Sequence, residues 1–233
     1  MVNQSTPSFA ECLNVKAERV MMIALKELRA HLYTAVGAAV AEFGFKTEKM
    51  VFRRPIEGGS QTLPLAYIRH ATDFDVTANI AVRFDDVQDL RLDGNKTIKP
   101  SEARHLMSFG AELGNIQGSG QKRWTIRESA DIPEVVPQII TTFKEIGLPY
   151  LDKFSDRRTA LEVVAKDGPT AWLLMPVHDA RAKLALALCV VLHDRESFET
   201  ILAHKLEYLA ARNDWGLAEV REFGDRMRDR LNA

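Results

Sequence analysis

The chain has 233 residues, of which 46% are hydrophobic and 27% are charged, so it can bury a sizeable core and does not have the composition of a disordered chain. Its 31 Lys and Arg residues balance 32 Asp and Glu residues, which gives a formal net charge of −1. Because phosphate contacts supply most of the affinity of nucleic-acid binders, this balance argues against nucleic acid as the partner.

The sequence also indicates where the protein resides. The N-terminal segment lacks the basic region and following apolar run of a secretory signal. The most apolar run, residues 184–192, is much shorter than the roughly 20 residues that span a bilayer. Cys12 and Cys189 have no CxxC neighbour, which is typical of reduced thiols in the cytosol. We therefore expect a cytoplasmic protein with no membrane partner.

Hydrophobic periodicity predicts a loose lead-in over residues 1–15 and then a helix over residues 17–43 that ends at Gly44. The period then changes to two and predicts strands at 50–55, 63–71 and 74–84. The last of these alternates most clearly, with apolar residues at even positions and mostly polar residues at odd positions. Such alternation is typical of a half-buried strand in an antiparallel sheet.

Residues 85–102 are predicted to form a long polar connection with a turn at Asp93, Gly94 and Asn95. Two further strands are predicted at 104–113 and 121–128, joined by a glycine-rich loop over residues 114–121. After Ser129 the pattern is helical to the end of the chain. Trp172 and Trp215 lie near helix connections in this half and are predicted to pack against helix ends.

These elements predict an α+β fold in which an N-terminal helix lies on an antiparallel sheet of four or five strands, followed by a C-terminal helical bundle. The predicted division falls between residues 1–129 and 130–233. The junction is too short to act as a flexible linker, so we expect the two parts to form one cooperative unit.

Known catalytic signatures are absent from the sequence. It contains no GxGxxG or P-loop motif for phosphate, no GxSxG elbow and no HExxH metal site. The six histidines are scattered, and Asp85-Asp86 has the character of a solvated loop. The sequence thus favours a protein that is not an enzyme and that holds no cofactor and no metal.

One group of polar residues could form a binding site on the sheet. If the strands pair as predicted, these residues share one face: Thr77, Asn79, Arg83, Arg123, Thr125 and Arg127. Arg69, and either Arg53 or Arg54, would join them depending on the register. Several guanidiniums over a sheet suit a carboxylate or phosphate ligand, whereas an exposed face with long polar side chains, countered by Asp75 and Glu128, is the plainer alternative.

The order of elements carries a resemblance to a known family. A long amphipathic helix leads into AEFGFKTEKMVFRRP, a hairpin leads into DFDVTANIAVRF, and RWTIRES is followed by a helical tail containing IGLPYLDKF. In this respect the chain resembles the bacterial family termed domain of unknown function 4304, over residues 25 to 225. The connections at 85–102 and 114–120 depart from that family's shorter ones.

The resemblance carries over no functional residue, because the family has no assigned activity. Relatives lie near bacterial toxin and defence genes, so the resemblance implies a binding or immunity role by analogy. The leading hypothesis is therefore a non-enzymatic, protein-binding module of the immunity or antitoxin type, whose partner is a toxin or effector. The alternative is a protein that binds an anionic ligand or nucleic acid, or an enzyme, and uses the arginine-bearing sheet face.

Overall fold

The computed structural model describes residues 9–93 and 97–233, without the side chains of residues 9–21 and 100. The first eight residues of the predicted lead-in, and Gly94 and Asn95 of the predicted turn, lie outside the described residues. Seven strands are described: β1 (Lys46–Glu48), β2 (Val51–Ile56), β3 (Gly59–Leu63), β4 (Leu65–Arg69), β5 (Phe74–Phe84), β6 (Phe109–Glu112) and β7 (Trp124–Ile126).

Eleven α-helices are described in the same part of the chain: α1 (Phe9–Val40), α2 (Asp85–Leu92), α3 (Pro100–Ala103), α4 (Leu113–Gln117), α5 (Ile132–Thr142), α6 (Leu148–Phe154), α7 (Arg157–Val164), α8 (Pro169–Leu174), α9 (His178–Val191), α10 (Arg195–Ala210) and α11 (Leu217–Asn232). Short 3₁₀ turns follow α1 and precede α5, and a π-helical segment, Phe143–Gly147, joins α5 to α6.

Strand β5 is the centre of the sheet. On one side it pairs with β3 and β4 in a single register, with Thr62 opposite Ala81 and Leu65 opposite Ala78. Pro64 separates these two strands because it has no N–H to donate, although its carbonyl oxygen still accepts a 3.0 Å hydrogen bond from the amide of Asn79. The strands β3 and β4 are therefore two halves of one strand position.

The other side of β5 is shared by β6 and β7, which residues 113–123, including α4, separate in the chain. Strand β2 pairs with β3, and β1 forms the outer edge beyond β2. All pairings are antiparallel, so the seven strands occupy five positions across the sheet. The predicted α+β fold, with an N-terminal helix, an antiparallel sheet and a C-terminal helical region, is confirmed.

Helix α1 covers the apolar face of the sheet. The even-numbered side chains of β5 lie on this face and are buried, as are Leu32, Val36 and Val40 of the helix. The Tyr33 ring stacks on Phe52 of β2 with ring centroids 4.3 Å apart. Gly44 ends this segment with a φ of 81°, a left-handed conformation that favours glycine, as the sequence predicted.

The helical half is arranged around α9, whose buried stretch carries most of its apolar residues. Helices α2, α7, α10 and α11 all pack against α9, while α5 packs on α1 and α6 contacts β5. The buried apolar residues of both halves consequently belong to one contiguous hydrophobic core.

The connection after β5 differs from the predicted polar loop. Helix α2 begins directly at Asp85, and its Val87 side chain is fully buried. Leu90 packs against the same core, so two apolar residues one turn apart stabilise the helix. The other residues of α2 are mostly polar, which is why the sequence pattern predicted a loop. The observed strand is also shorter than the one predicted at 104–113: β6 spans Phe109–Glu112, and residues 104–108 connect it to the end of α3.

Two other local predictions were incomplete. The glycine-rich connection after β6 contains α4, whose first turn is capped because the Glu112 carboxylate accepts a 3.0 Å hydrogen bond from the Asn115 amide. Strand β1, which has three exposed residues and no apolar alternation, was not predicted. Within the described residues, no helix combines the length and apolarity that a membrane span requires.

Candidate functional site

The register settles which polar residues share a face of the sheet. Residues that lie opposite each other in paired antiparallel strands point to the same side. Thr77, Asn79 and Arg83 alternate along β5, and Thr125 lies opposite Asp75, so these four residues share one side as predicted. We call this side the polar face.

The register also resolves the alternatives at positions 53, 54 and 69. Arg53 lies opposite Thr62, which is itself opposite Ala81, so Arg53 belongs to the polar face. Arg54 lies opposite Gln61 on the other side, where its guanidinium pairs with Asp152 of α6. Arg69 lies opposite Phe74 and is likewise on the other side.

The predicted arginines do not meet in one site. Because Thr125 lies opposite Asp75, Arg123 falls beside Thr77, about 20 Å from Arg83 at roughly 3.3 Å per residue. Arg127 follows the end of β7 and is farther away still. The single concave arginine site required by the ligand-binding hypothesis is therefore not formed, since the shared face extends over the length of β5.

Arg83 is occupied by internal contacts. Its Nε donates a 2.6 Å hydrogen bond to Asp85 Oδ1, and its Nη1 donates to the carbonyl oxygens of Ala103 and Leu106 at 2.9 and 2.7 Å. The side chain is 11% exposed. Arg83 thus holds the turn after α3 against the end of the sheet, beside a 430 Å³ hollow whose other cationic residues are Lys46, Arg53 and Arg104.

The opposite end of the polar face holds Thr125, Asp75 and His70. Thr125 Oγ1 donates a 2.7 Å hydrogen bond to Asp75 Oδ1, while His70 Nε2 lies 3.2 Å from the Oδ2 atom. The hydrogen bond from Thr125 is the main reason that the pKa of Asp75 lies below its ordinary value. Arg123 is exposed and donates to Gln121 Oε1 at 3.2 and 2.8 Å.

A cleft opens in the middle of the polar face, between β5, β6 and α8. Its volume is 760 Å³, and we name it the Asn79 cleft. Ala81 and Gly110 lie opposite each other in its floor, where their small size leaves room above the sheet. Trp172 of α8 stands at the rim and is 50% exposed.

A second feature lies on the helical half beside α8. Four aromatic rings lie in a row. The distance between ring centroids is 6.1 Å from Trp172 to His178, 5.3 Å from His178 to Tyr208, and 6.4 Å from Tyr208 to His204. We name these four residues the aromatic strip. Arg212 extends it, because its guanidinium carbon lies 3.6 Å from the centre of the Tyr208 ring.

Exposed apolar side chains flank the aromatic strip. Val177, which precedes His178, is 52% exposed, and Trp215 is 83% exposed. Trp215 follows Asp214, whose Oδ2 lies 3.3 Å from His178 Nδ1. Trp172 and Trp215 were predicted to pack against helix ends, and both nevertheless keep half or more of their surface exposed.

Charged residues are buried directly beneath the strip. Arg181 and Lys205 have side chains that are 0% and 1% exposed, and both bind the carboxylate of Asp167. Burial favours the neutral form of Asp167, but the hydrogen bonds from Lys205 and Arg181 outweigh it and lower the pKa of Asp167. Burial also favours the neutral form of Lys205, and for an amine this lowers the pKa. His204 Nε2, at the surface, lies 3.1 Å from the same carboxylate.

The sequence offered little signal for this arrangement. Its residues come from α8, α9, α10 and the α10–α11 connection, so their proximity depends on how the helices pack. Helical spacing could have paired His204 with Tyr208, which are four residues apart on α10. In the part of the chain that the structure describes, no group of three or more His, Cys, Asp or Glu residues is placed to bind a metal ion.

Comparison of the chain with models of protein families, with curated proteins and with solved structures gives no match.

Proposed function

We propose that this protein is a non-enzymatic protein-binding module that holds its partner on the aromatic strip and the exposed residues beside it. The observation that carries the proposal is the grouping of Trp172, Tyr208, Arg212 and Trp215 around His178. Trp, Tyr and Arg are the residue types that dominate the binding energy of protein interfaces.

The surface also has the composition of an interface centre. Large exposed apolar groups are unusual on a soluble monomer when they are grouped, and here Trp172 contacts His178, Val177 precedes His178, and Trp215 follows the Asp214 that pairs with His178. The buried contacts of Asp167, Arg181 and Lys205 fix the helices beneath the strip. A surface held rigid in this way loses little conformational entropy when a partner binds.

The resemblance described above supports a toxin or effector as the partner, and hence a role of the immunity or antitoxin type. The first candidates to test are the products of the genes adjacent to this one. Co-expression with each candidate, followed by size-exclusion chromatography and affinity measurement on the purified pair, identifies the partner directly.

The decisive variant is Trp215→Ala. A tryptophan that a partner buries in an interface typically contributes about 2 kcal/mol or more, so we expect the dissociation constant to increase about 30-fold. Met50→Ala is the matched control, because Met50 is a large exposed apolar residue (54% exposed) at the tip of the β1–β2 turn. A complex whose affinity is equally unchanged by Trp215→Ala and by Trp172→Ala would contradict the proposal.

A second candidate function rests on the hollow beside Arg83. Its lining has four cationic residues, Lys46, Arg53, Arg83 and Arg104, against the carboxylates Glu48 and Asp85. Arg53 and Arg83 are engaged with these carboxylates, which leaves Lys46 and Arg104 to attract an anion. If an anion binds here, Lys46→Ala with Arg104→Ala abolishes the thermal stabilisation that citrate or phosphate produces, whereas Lys144→Ala does not.

A further inference from the structure

The Asn79 cleft has the dimensions of a small-molecule site. Its 760 Å³ falls within the range of about 300–1,000 Å³ that such sites occupy. Its floor is the polar face at Ala81 and Gly110, and its apolar walls include Met107 and Leu173. The cleft therefore has apolar walls above a base that is formed by paired β-strands.

Carboxamide side chains border this cleft. Asn79 contributes a side-chain oxygen that has no hydrogen-bond partner among the described residues, and its Nδ2 makes one long contact, 3.5 Å, with Thr77 Oγ1. Asn115 also lines the cleft, and no hydrogen bond is described for its side chain. Gln121 uses its oxygen to accept from Arg123 but keeps its amide N–H groups available. Each carboxamide supplies a donor and, at Asn79 and Asn115, an acceptor.

Charge narrows the class of ligand. Within the described lining, Glu112 is the one charged residue, and its two oxygens accept 3.0 and 3.1 Å hydrogen bonds from the amides of Asn115 and Lys122. The lining thus contributes no cation that could offset a phosphate or carboxylate. An anionic ligand would lose its hydration without a compensating partner, so a neutral ligand is favoured.

Trp172 indicates the shape of the ligand that the cleft would bind. Its half-exposed indole stands at the rim of a cleft whose polar partners are carboxamides. Planar heterocycles stack on tryptophan, and Asn and Gln side chains pair with adjacent donor and acceptor atoms on a ring edge. We propose that the Asn79 cleft binds a neutral planar ring of the nucleobase type, stacked against Trp172 and hydrogen-bonded to Asn79 and Asn115.

The proposal is tested with adenine and cytosine as probes, in a Trp215→Phe background that removes the most exposed competing indole. We expect each base to quench Trp172 fluorescence saturably, with a dissociation constant of about 1 mM or tighter, and isothermal titration calorimetry to give the same value. Adenosine monophosphate, which carries a phosphate that adenosine lacks, is expected to bind at least tenfold more weakly than adenosine. Equal or tighter binding of the monophosphate would overturn the neutral-ligand assignment.

Two variants localise the interaction. Asn79→Ala and the more exposed Asn115→Ala are each expected to weaken binding of adenine at least fivefold, whereas Asn232→Ala, on the exposed end of α11, leaves it unchanged. Asn115→Ala lies on a short surface helix, which keeps the test valid if Asn79→Ala reduces folding. Absence of saturable quenching by both bases, or unchanged affinity in both cleft variants, would refute the proposal. Asn79 and Asn115 lie outside the aromatic strip, so loss of adenine binding in these two variants is distinguishable from loss of partner binding, which is tested at Trp215 and Trp172.

Discussion

The Arg181 guanidinium donates two hydrogen bonds, from Nε at 2.9 Å and from Nη2 at 2.7 Å, to the Oδ1 atom of Asp167. Both side chains are almost completely buried, and Lys205 completes the cluster by donating to Oδ2. One carboxylate therefore compensates two buried cations. Asp167→Asn removes that charge, and we expect it to lower the free energy of unfolding by about 3–5 kcal/mol in urea denaturation.

The control for this prediction is a surface ion pair in the same half. Glu222 and Arg226 are paired on α11 at 2.9 Å, with side chains that are 76% and 43% exposed. Glu222→Gln is expected to change the unfolding free energy by less than about 0.5 kcal/mol. If Asp167→Asn proved as mild as Glu222→Gln, the buried cluster would not contribute to stability as described.

Thr125→Val is expected to make the acid dependence of stability weaker. The pKa of Asp75 is lowered in the folded state, so its contribution is present above the unfolded pKa of about 3.9 and is lost as the pH falls through the folded value. Without the Thr125 hydrogen bond, the folded pKa rises toward its ordinary value. The free energy of unfolding of the variant should be about 1 kcal/mol below that of the unmodified protein at pH 7, and this difference should shrink progressively below pH 4.

Two measurements check that expectation: urea denaturation across pH 2.5 to 7, at roughly half-unit steps, and an NMR titration of the Asp75 carboxyl. A loss of stability that stays constant down to the lowest pH would mean that the effect of Thr125 is independent of the charge on Asp75.

Gly59→Ala is expected to destabilise the protein by about 2 kcal/mol or more. A Cβ at this position would lie 1.9 Å from the backbone oxygen of Arg83 on the paired strand, and a backbone atom cannot move aside as a side chain can. Gly168→Ala provides the comparison, because a Cβ there meets no atom within 4 Å. Thermal unfolding of the two variants should separate them clearly. Comparable melting temperatures would argue against the close β3–β5 approach.

Cys189 is expected to be unreactive in the folded protein. It is fully buried in α9, and burial raises the pKa of its thiol to about 12, so the reactive thiolate is scarce at neutral pH. In a Cys12→Ser background, modification by a thiol reagent should occur only after unfolding in urea. Rapid modification of the folded variant would show that α9 opens more readily than its packing indicates.

Sequence patterns were sufficient for the elements that bury a regular apolar stripe. Strand β5 was predicted with its observed bounds because its even residues are apolar along its length. Helix α2 was not predicted because polar residues outnumber Val87 and Leu90 in its sequence. The burial that stabilises α2 depends on its packing against α9, which lies far away in the sequence. The local composition of a segment does not predict such long-range contacts.

The candidate sites divide in the same way. Alternation along β5 was enough to place Thr77, Asn79 and Arg83 on one face, because alternation depends on one strand alone. The separation of Arg83 from Arg123 depends on the register of β7, and the aromatic strip depends on the crossing of three helices. Neither relationship is encoded in residue spacing.

The central position of β5 has a consequence for the order in which the chain is made. Strands β1 to β5 are contiguous from Lys46 to Phe84 and can pair as soon as they leave the ribosome. The partners for the other edge of β5 end only at Ile126, so that edge stays open while the intervening residues are synthesised. An open edge can recruit strands from other chains, which makes this interval the stage at which the nascent protein is most exposed to aggregation.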